Sequence, residues 1–211
     1  GALLGMAAHL EGKAARVMDM AGMAQKGGTV YSYVQLAARD EDISATRIAA
    51  GQCDLLIGAD AVVAGSSATL SRLRVEGLAI VNEDGSPTSE FIKSRDWTTP
   101  LGDLLSRLRG RVSQGRVVTL TAAKIATQVL GDAIFANLML LGMAWQSGRV
   151  PLSRANIEKA IELNGTAVAK NLEAFRIGCH LSSDPALAAE LLKGKQAPKT
   201  SKTLAELIED R

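Results

Sequence analysis

The sequence is poor in aromatic side chains: Phe, Trp and Tyr make up 3% of its 211 residues. Apolar residues still make up 47%, so the core must use small and aliphatic side chains, as strands packed between helices usually do. A net charge of +2 is too small to indicate nucleic-acid binding. No apolar run reaches the roughly 18 residues of a membrane span, and no signal peptide is visible. We therefore expect a cytoplasmic protein without a membrane partner.

Cysteine is equally scarce, and several familiar motifs are missing. Cys53 and Cys179 lie far apart, and neither belongs to a C-x-x-C pattern. The sequence thus encodes no iron–sulfur or zinc site, and two reduced, buried thiols are expected. Neither G-x-G-x-x-G nor G-x-x-x-x-G-K-[ST] occurs, so a complete dinucleotide or P-loop site is absent.

Residues 1–130 alternate predicted strands with predicted helices. The strands are 17–20, 30–36, 54–57, 78–81 and 117–120, and the helices are 3–10, 43–50, 61–74, 100–111 and 122–130. This alternation predicts an α/β fold, a three-layer α/β/α arrangement with a mostly parallel, Rossmann-like sheet.

Residues 131–184 are predicted to be a helical part of the same domain. The expected helices are 132–147, 154–163 (capped by Ser153 and ended by Asn164-Gly165) and 166–177, ended by Gly178. Residues 185–211 read as a short helix, a basic linker at 194–203 and the start of a further helix. Neither end of the chain carries the capping signals of a natural terminus, so we expect a piece of a longer polypeptide.

Ligands of open α/β sheets bind at the carboxyl ends of the strands, a rule that selects the loops 20–28, 58–64, 82–88 and 121–124. The first contains Gln25, Lys26, Gly27 and Gly28, which we call the QKGG loop. Its glycines permit close backbone approach, and its cation and amide could hold a carboxylate or phosphate. From these residues alone, however, a glycine-rich turn with a solvated lysine is the favoured interpretation.

The other candidate residues also have ordinary structural interpretations. Asp60 could orient a ribose, but capping of the next helix is favoured. Glu83 and Asp84 could pair as acid and base, although NEDG is first of all a turn sequence. We expect Lys124 to be a surface or helix-start lysine, and His9 and His180 to be structural or surface residues. No catalytic residue is assigned.

A run of arginines, Arg107, Arg109, Arg111 and Arg116, is predicted to form a solvated helix face and its exit loop. Binding of an acidic ligand at this basic stretch is the second interpretation.

Three segments resemble one known family. DMAGMAQKGGTVYSYVQLA, RIAAGQCDLLIGAD and the stretch from GDAIFANLMLLG to KNLEAFRIG are similar to the gamma-type domain of 2-oxoacid:ferredoxin oxidoreductases, also called the pyruvate/ketoisovalerate oxidoreductase catalytic domain family. The likeness is strongest to the long, fused indolepyruvate ferredoxin oxidoreductases. It covers nearly the whole chain, and residues 131–178 are its most specific part.

The resemblance implies a thiamine-dependent enzyme that oxidatively decarboxylates an aryl 2-oxoacid. Coenzyme A would accept the acyl group, and iron–sulfur clusters would pass electrons to ferredoxin. Thiamine diphosphate and the clusters would be bound by other domains or subunits, so this chain would bind no cofactor alone and would be inactive alone. The QKGG loop would face the substrate or a domain interface.

The chain departs from the family pattern in two ways. It begins after the family's glycine-rich G-x-G-G-x-G turn, and it carries Tyr33 and Gln35 where fused relatives often have histidine and arginine. Two further interpretations therefore stay open: a non-catalytic structural or interaction domain of such a complex, and a nucleotide-binding α/β domain.

Overall fold

The chain alternates strands and helices in its first part and is helical in its last part. Its structure, a computed structural model, describes residues 1–21, 30–84 and 101–193. The elements in chain order are α1 (Ala2–Leu10), β1 (Ala14–Ala21), β2 (Val30–Ala37), β3 (Cys53–Gly58), α2 (Ala61–Ala64), α3 (Ser67–Leu70), β4 (Leu73–Asn82), α4 (Leu101–Arg111), β5 (Val117–Leu120), α5 (Ala122–Leu130), α6 (Ala136–Gln146), α7 (Arg154–Asn164), α8 (Val168–Ser183) and α9 (Leu187–Lys193). Short 3-10 helices occupy Asp40–Asp42 and Ala133–Phe135.

A parallel sheet of the order β3-β4-β5 lies at the centre of the molecule. Successive side chains of a strand point to opposite faces of its sheet. Leu78 and Ile80 of β4 accordingly join one apolar cluster, with α1 and α5–α8, whereas Ala79 and Val81 join another, with α2 and α4. The predicted three-layer α/β arrangement is therefore confirmed, with a parallel sheet between two helical layers.

β1 and β2 form a separate two-stranded sheet. They pair antiparallel, in a register that joins Ala14 to Ala37 and Ala21 to Val30. Both predicted strands are confirmed, but the expectation that loop 20–28 follows a strand of the parallel sheet is wrong. The sequence shows two strand-like runs without showing which partner each one pairs with, so it could not separate a hairpin from two parallel strands.

The predicted helix 43–50 is wrong, because this segment contains no helix in the structure. Only Ile43 is buried in it, so there is no apolar stripe to hold a helix against the core. Its carbonyl groups serve neighbouring elements instead. Ala45 accepts a hydrogen bond from Gln35, and Ile48 accepts one from Arg72.

The single helix predicted for 61–74 is also wrong in its extent. The structure has two short helices, α2 and α3, and Arg74 already lies in β4. The interruption falls at Ser66, whose hydroxyl accepts a hydrogen bond from the Thr69 amide and so starts a new helix. Gly65, just before it, packs so closely that an added Cβ would lie 2.8 Å from a methyl group of Leu104.

The helical part contains one long, buried crossing of α6 and α8. The predicted end at Gly178 is wrong, because α8 continues through it to Ser183. An added Cβ at Gly178 would overlap the carbonyl oxygen of Met139, and one at Gly142 would overlap that of Phe175. The two glycines thus allow the backbones to touch. Residues 132–147 are likewise not one helix, since Asp132 caps a 3-10 turn before α6.

The remaining predicted elements are confirmed within a few residues. Ser153 caps α7, and Gly165 ends it with a φ of 72°. The helical part shares its apolar cluster with Leu78 and Ile80 of the sheet. The predicted linker 194–203 and the last predicted helix lie outside the described residues. Within the described residues, no helix is both long and apolar enough to cross a bilayer.

Candidate functional site

The QKGG loop of Gln25, Lys26, Gly27 and Gly28 lies outside the described residues. The strands that flank it are described, and the last residue of β1, Ala21, pairs with the first of β2. What the structure provides is therefore how the hairpin that carries this loop is fixed to the rest of the molecule.

One face of the hairpin is anchored by two stacked tyrosines. The rings of Tyr31 and Tyr33 lie 6.2 Å apart at an angle of 18°. The hydroxyl of Tyr31 is 3.3 Å from that of Ser66, within hydrogen-bonding distance. The Arg72 guanidinium lies 5.4 Å from the centre of the Tyr33 ring, a cation–π contact, and also donates to the Ile48 carbonyl at 2.6 Å. Tyr31 lies near the loop end of the hairpin and Tyr33 near its middle, so this face is anchored at two points.

The same face of the hairpin contacts the irregular segment 40–50. Gln35 donates to the Ala45 carbonyl at 2.5 Å, and Arg16 lies 3.1 Å from the Asp40 carboxylate. Tyr33 is only 8% exposed. Tyr33 and Gln35, where the fused relatives often carry histidine and arginine, thus act here as contacts between the hairpin and the body of the domain.

Arg47 reaches toward the loop end of the hairpin. Its guanidinium lies 3.2 Å from the Met20 sulfur, next to the end of β1. Arg47 is exposed, and among the described residues it ion-pairs with no carboxylate. A cation is therefore available beside the strand that leads into the QKGG loop.

Asn82, the last residue of β4, connects the elements that meet at the carboxyl edge of the parallel sheet. This side chain is 3% exposed. Its Oδ1 accepts hydrogen bonds from the amides of Ala122 at 2.9 Å and Ala123 at 3.3 Å, and its Nδ2 donates to the Ala59 carbonyl at 3.2 Å. Asn82 therefore joins the ends of β3 and β4 to the start of α5.

Asp84 occupies the next position at the same helix end. Its Oδ2 accepts a hydrogen bond from the Lys124 amide at 2.9 Å. Its buried Oδ1 makes no hydrogen bond among the described residues, but lies 3.5 Å from the Lys124 ammonium. The side chain of Lys124 is 69% exposed, as predicted for a helix-start lysine. The amide of Glu83 donates a hydrogen bond to the Leu120 carbonyl at 2.9 Å and so continues the pairing of β4 with β5 by one residue.

The helix N-termini at this edge are thus occupied by the chain's own side chains. Asp60 caps α2 by accepting hydrogen bonds from the amides of Val62 at 2.7 Å and Val63 at 3.4 Å, so the capping interpretation is confirmed. In dinucleotide-binding folds such amides hold the phosphates. Because Asp60, Asn82 and Asp84 already occupy them, this geometry disfavours a nucleotide site at the edge.

The two cysteines are free and have raised pKa values. Burial raises the pKa of the Cys53 thiol, whose Sγ donates to the Leu55 carbonyl at 3.1 Å. Burial also raises the pKa of the Cys179 thiol in α8. A thiol of raised pKa is a poor nucleophile and a poor metal ligand, because both need the thiolate. His9 and His180 are exposed, as expected of surface residues.

Comparison with known proteins decides the family. The family model described as pyruvate ferredoxin/flavodoxin oxidoreductase matches residues 1–181. The chain belongs to this family. It is 28% and 26% identical, each over 178 residues, to the proteins named indolepyruvate oxidoreductase subunit IorB of Pyrococcus horikoshii and Thermococcus kodakarensis. Each alignment covers 83% of this chain and 85% of the relative.

A solved structure supports the fold of this pyruvate ferredoxin/flavodoxin oxidoreductase family member. The gamma subunit of keto/oxoacid ferredoxin oxidoreductase from Geobacter sulfurreducens PCA is similar with a TM-score of 0.59 and 20% identity. The match covers 87% of this chain and 89% of that chain. It shows that the two share a fold. The family resemblance drawn from the sequence segments is confirmed by the family match over residues 1–181.

Sequence reasoning missed the residues that hold this family member's candidate site together. The sequence predicts Asn82 only as the start of a loop, although a buried apolar strand that ends in asparagine, LAIVN, is a usable signal for a polar cap. Arg72 and Ser66 gave no signal at all. Their partners are Tyr33 and Tyr31, which are distant in sequence and adjacent only in the fold.

Proposed function

We propose that this chain is a subunit or domain of an indolepyruvate-type 2-oxoacid:ferredoxin oxidoreductase. The complex would oxidatively decarboxylate an aryl 2-oxoacid to its acyl-coenzyme A and transfer the electrons to ferredoxin. The observation that carries the proposal is the family match over residues 1–181, together with the likeness to two indolepyruvate oxidoreductase subunits. The cytoplasm, where the other partners would be found, is the proposed location.

The cofactors of such an enzyme would be bound by partner subunits or domains. An iron–sulfur cluster is usually held by four cysteine thiolates, whereas the whole sequence has two cysteines. Both of these have raised pKa values. The start of α5 does not fit the diphosphate of thiamine diphosphate, since Asn82 and Asp84 occupy its amides and Asp84 is itself anionic. The residues of this chain therefore do not fit either group at these positions.

We assign the QKGG loop the role of contacting substrate or the partner interface. Lys26 would supply a cation for a carboxylate or for a phosphate of coenzyme A, and Gln25 a donor and an acceptor. This role is supported by the anchoring of the hairpin at Tyr31 and Tyr33 and by the exposed guanidinium of Arg47 beside Met20. A fixed hairpin with cations at one end can hold an anionic group in a constant position.

The test is substrate-dependent electron transfer by the complex assembled from this chain and its partner subunits. Indolepyruvate and coenzyme A should support reduction of ferredoxin, and Lys26→Ala should lower kcat/KM at least about tenfold through loss of one charge-assisted contact. Lys159→Ala is the matched control, because Lys159 is exposed on α7 and its one ion pair within the described residues is with Glu162. Unchanged kinetics for Lys26→Ala would rule out the loop assignment, and no activity with any aryl 2-oxoacid would rule out the substrate class.

A purely structural role is the second candidate, and two exposed apolar side chains favour it. Ile134 is 66% exposed and Leu163 is 55% exposed, both in the helical part. If the chain only supports its partners, Ile134→Asp should disrupt assembly in size-exclusion chromatography. Lys26→Ala should then leave turnover intact. The two variants together separate a structural subunit from one that touches substrate.

A further inference from the structure

A cavity of about 380 Å³ lies between the end of α4 and the start of β5. It is lined by Arg109, Ser113, Gln114, Gly115, Arg116 and Val117. Because the turn at 113–116 leads into β5, the cavity is at the amino end of the parallel strands. Asn82 and Asp84 lie at the opposite, carboxyl end. The cavity is therefore separate from the edge at which ligands of α/β sheets normally bind.

Two arginines, Arg109 and Arg116, are among the residues that line this cavity, although most of its surface is apolar. Among the described residues, the amides of Gln114 and Gly115 donate no hydrogen bond, whereas the amide of Ser113 donates to Val75 at 2.7 Å. Gly115 has a φ of 78°. Turns with a left-handed residue place successive amides in concave arrangements that bind anions.

The charges around the cavity are not neutralised by the described residues. No carboxylate in the described ranges ion-pairs with Arg109 or Arg116. Arg111, by contrast, is used in packing, because its Nε donates to the Leu70 carbonyl at 2.9 Å. A cation in the last turn of a helix is favoured by the helix dipole, which accounts for Arg109. It does not account for Arg116, which follows α4 by five residues and is half-buried.

We propose that this cavity binds the phosphate group of a small ligand, held by Arg109 and Arg116. Guanidinium groups form paired hydrogen bonds with phosphate oxygens, and two of them match the double charge of a phosphate at neutral pH. Gln114 and Gly115 line the same cavity, and within the described ranges their amides donate no hydrogen bond, so they could serve as further donors to the ligand. The site does not depend on the proposed oxidoreductase activity, because binding can be measured on this chain by itself.

The test is a titration of the ¹⁵N-labelled chain with inorganic phosphate at constant ionic strength, followed by amide chemical shifts. The expected result is saturable shifts of the Gln114 and Gly115 amides, with weaker binding of acetate, which carries a single charge. Arg109→Gln and Arg116→Gln should each weaken phosphate binding about tenfold, the value of one charge-assisted contact. Arg116→Lys should also lose affinity, since it keeps the charge but not the fork of donors.

Arg107→Gln is the matched control, because Arg107 lies on the same helix, is exposed, and does not line the cavity. Equal losses in Arg107→Gln and Arg109→Gln would show attraction by net charge alone and overturn the site. Linear, unsaturated shifts would overturn it too. Unchanged dispersion of the other amide signals verifies that each variant is folded. The ligand could be a phosphate ester or free phosphate, and a titration with glycerol 3-phosphate distinguishes the two. Tighter binding than that of inorganic phosphate points to an ester, and equal binding points to the free ion.

Discussion

The α6–α8 crossing and one face of the β1–β2 hairpin are held in place by different kinds of contact, although Ala15 and Leu36 on the other face of the hairpin pack against the apolar cluster. The crossing depends on close packing. Gly142 and Gly178 allow the two helix backbones to touch, and the buried side chains of Met139 and Phe175 lie beside them. The hairpin is fixed on one face by polar and cation–π contacts, such as that of Arg72 with Tyr33.

This difference bears on where function can reside. In a close-packed crossing, a substitution that enlarges a side chain strains the helices around it. Few substitutions are therefore tolerated there. Contacts between side chains can be lost one at a time at a modest cost. Binding elements are usually drawn from the less tightly packed parts of a fold. The hairpin that carries the QKGG loop is such a part, and the crossing is not.

The largest effect is expected for Gly178→Ala, which tests whether the crossing depends on shape. Its Cβ would overlap the Met139 carbonyl oxygen, and the backbones would have to separate. We expect a loss of about 3 kcal/mol or more in the free energy of unfolding, measured with urea. Gly110→Ala in α4 is the control, because nothing lies within 4 Å of its added Cβ. It should gain up to about 1 kcal/mol. A loss below about 1 kcal/mol for Gly178→Ala would contradict the interpretation that the crossing depends on backbone contact at this glycine.

Asn82→Ala tests the polar connection at the carboxyl edge of the sheet. It would leave the amides of Ala122 and Ala123 and the Ala59 carbonyl without their partner. We expect a loss of about 2–3 kcal/mol, since buried groups left unpaired keep their full desolvation cost. Asn137→Ala, an exposed position on α6, should change stability by no more than about 0.5 kcal/mol. Similar values for the two variants would show that the edge is held by apolar packing alone.

Arg72→Ala tests the anchoring of the hairpin. It removes the cation–π contact with Tyr33 and the hydrogen bond to Ile48. A loss of about 1–2 kcal/mol is expected in urea unfolding. Arg74→Ala removes only an exposed ion pair with Asp54 and should cost about 0.5 kcal/mol or less. If Arg72→Ala costs as much as Gly178→Ala, the contrast between the two regions fails.

The smallest effect is expected at Glu11, which joins α1 to the start of α7. Its carboxylate accepts hydrogen bonds from the Ser153 amide at 2.7 Å, from Lys13 and from Asn156, and these lower the Glu11 pKa to about 2. A carboxylate whose pKa is lowered by folding stabilises the folded state at any pH above the pKa of the unfolded state, which is near 4.5. This contribution is lost as the pH falls through the folded-state pKa of about 2.

Glu11→Gln should therefore melt below the wild type at pH 7, with the difference in Tm shrinking between pH 4.5 and 2. Glu162→Gln, which removes an exposed pair with Lys159, serves as the control and should show almost no such trend. A Tm difference for Glu11→Gln that stays constant down to pH 2 would show that the carboxylate charge contributes nothing to the junction.

The elements of the fold were predictable where a pattern was complete within a few residues. The buried strands around Leu56, Ile80 and Val118 are continuous apolar runs, and the cap at Asp60 bonds amides two and three residues away. Gly178 misled the prediction, because a glycine that ends a helix and one that permits a helix crossing look alike in a sequence.

The candidate site was predictable only in part. The QKGG loop was found from its residue types, and its role stays a prediction. Asn82 makes hydrogen bonds with residues 23 and 40 positions away in the chain, and no local sequence pattern predicts such contacts. The basic stretch that contains Arg109 and Arg116 is visible in the sequence, but the cavity that these residues line exists only in the folded chain.

The α/β class, the order of most helices and strands, and the family to which the chain belongs all follow from the amino-acid sequence. These depend on periodicity, capping and local motifs, which are set by interactions between near neighbours. Three features become visible only in the folded chain: the separate antiparallel sheet of β1 and β2, the occupied helix N-termini at the carboxyl edge, and the helix crossing at Gly178. Those features depend on contacts between residues far apart in the chain, and such contacts exist only once the core has been packed.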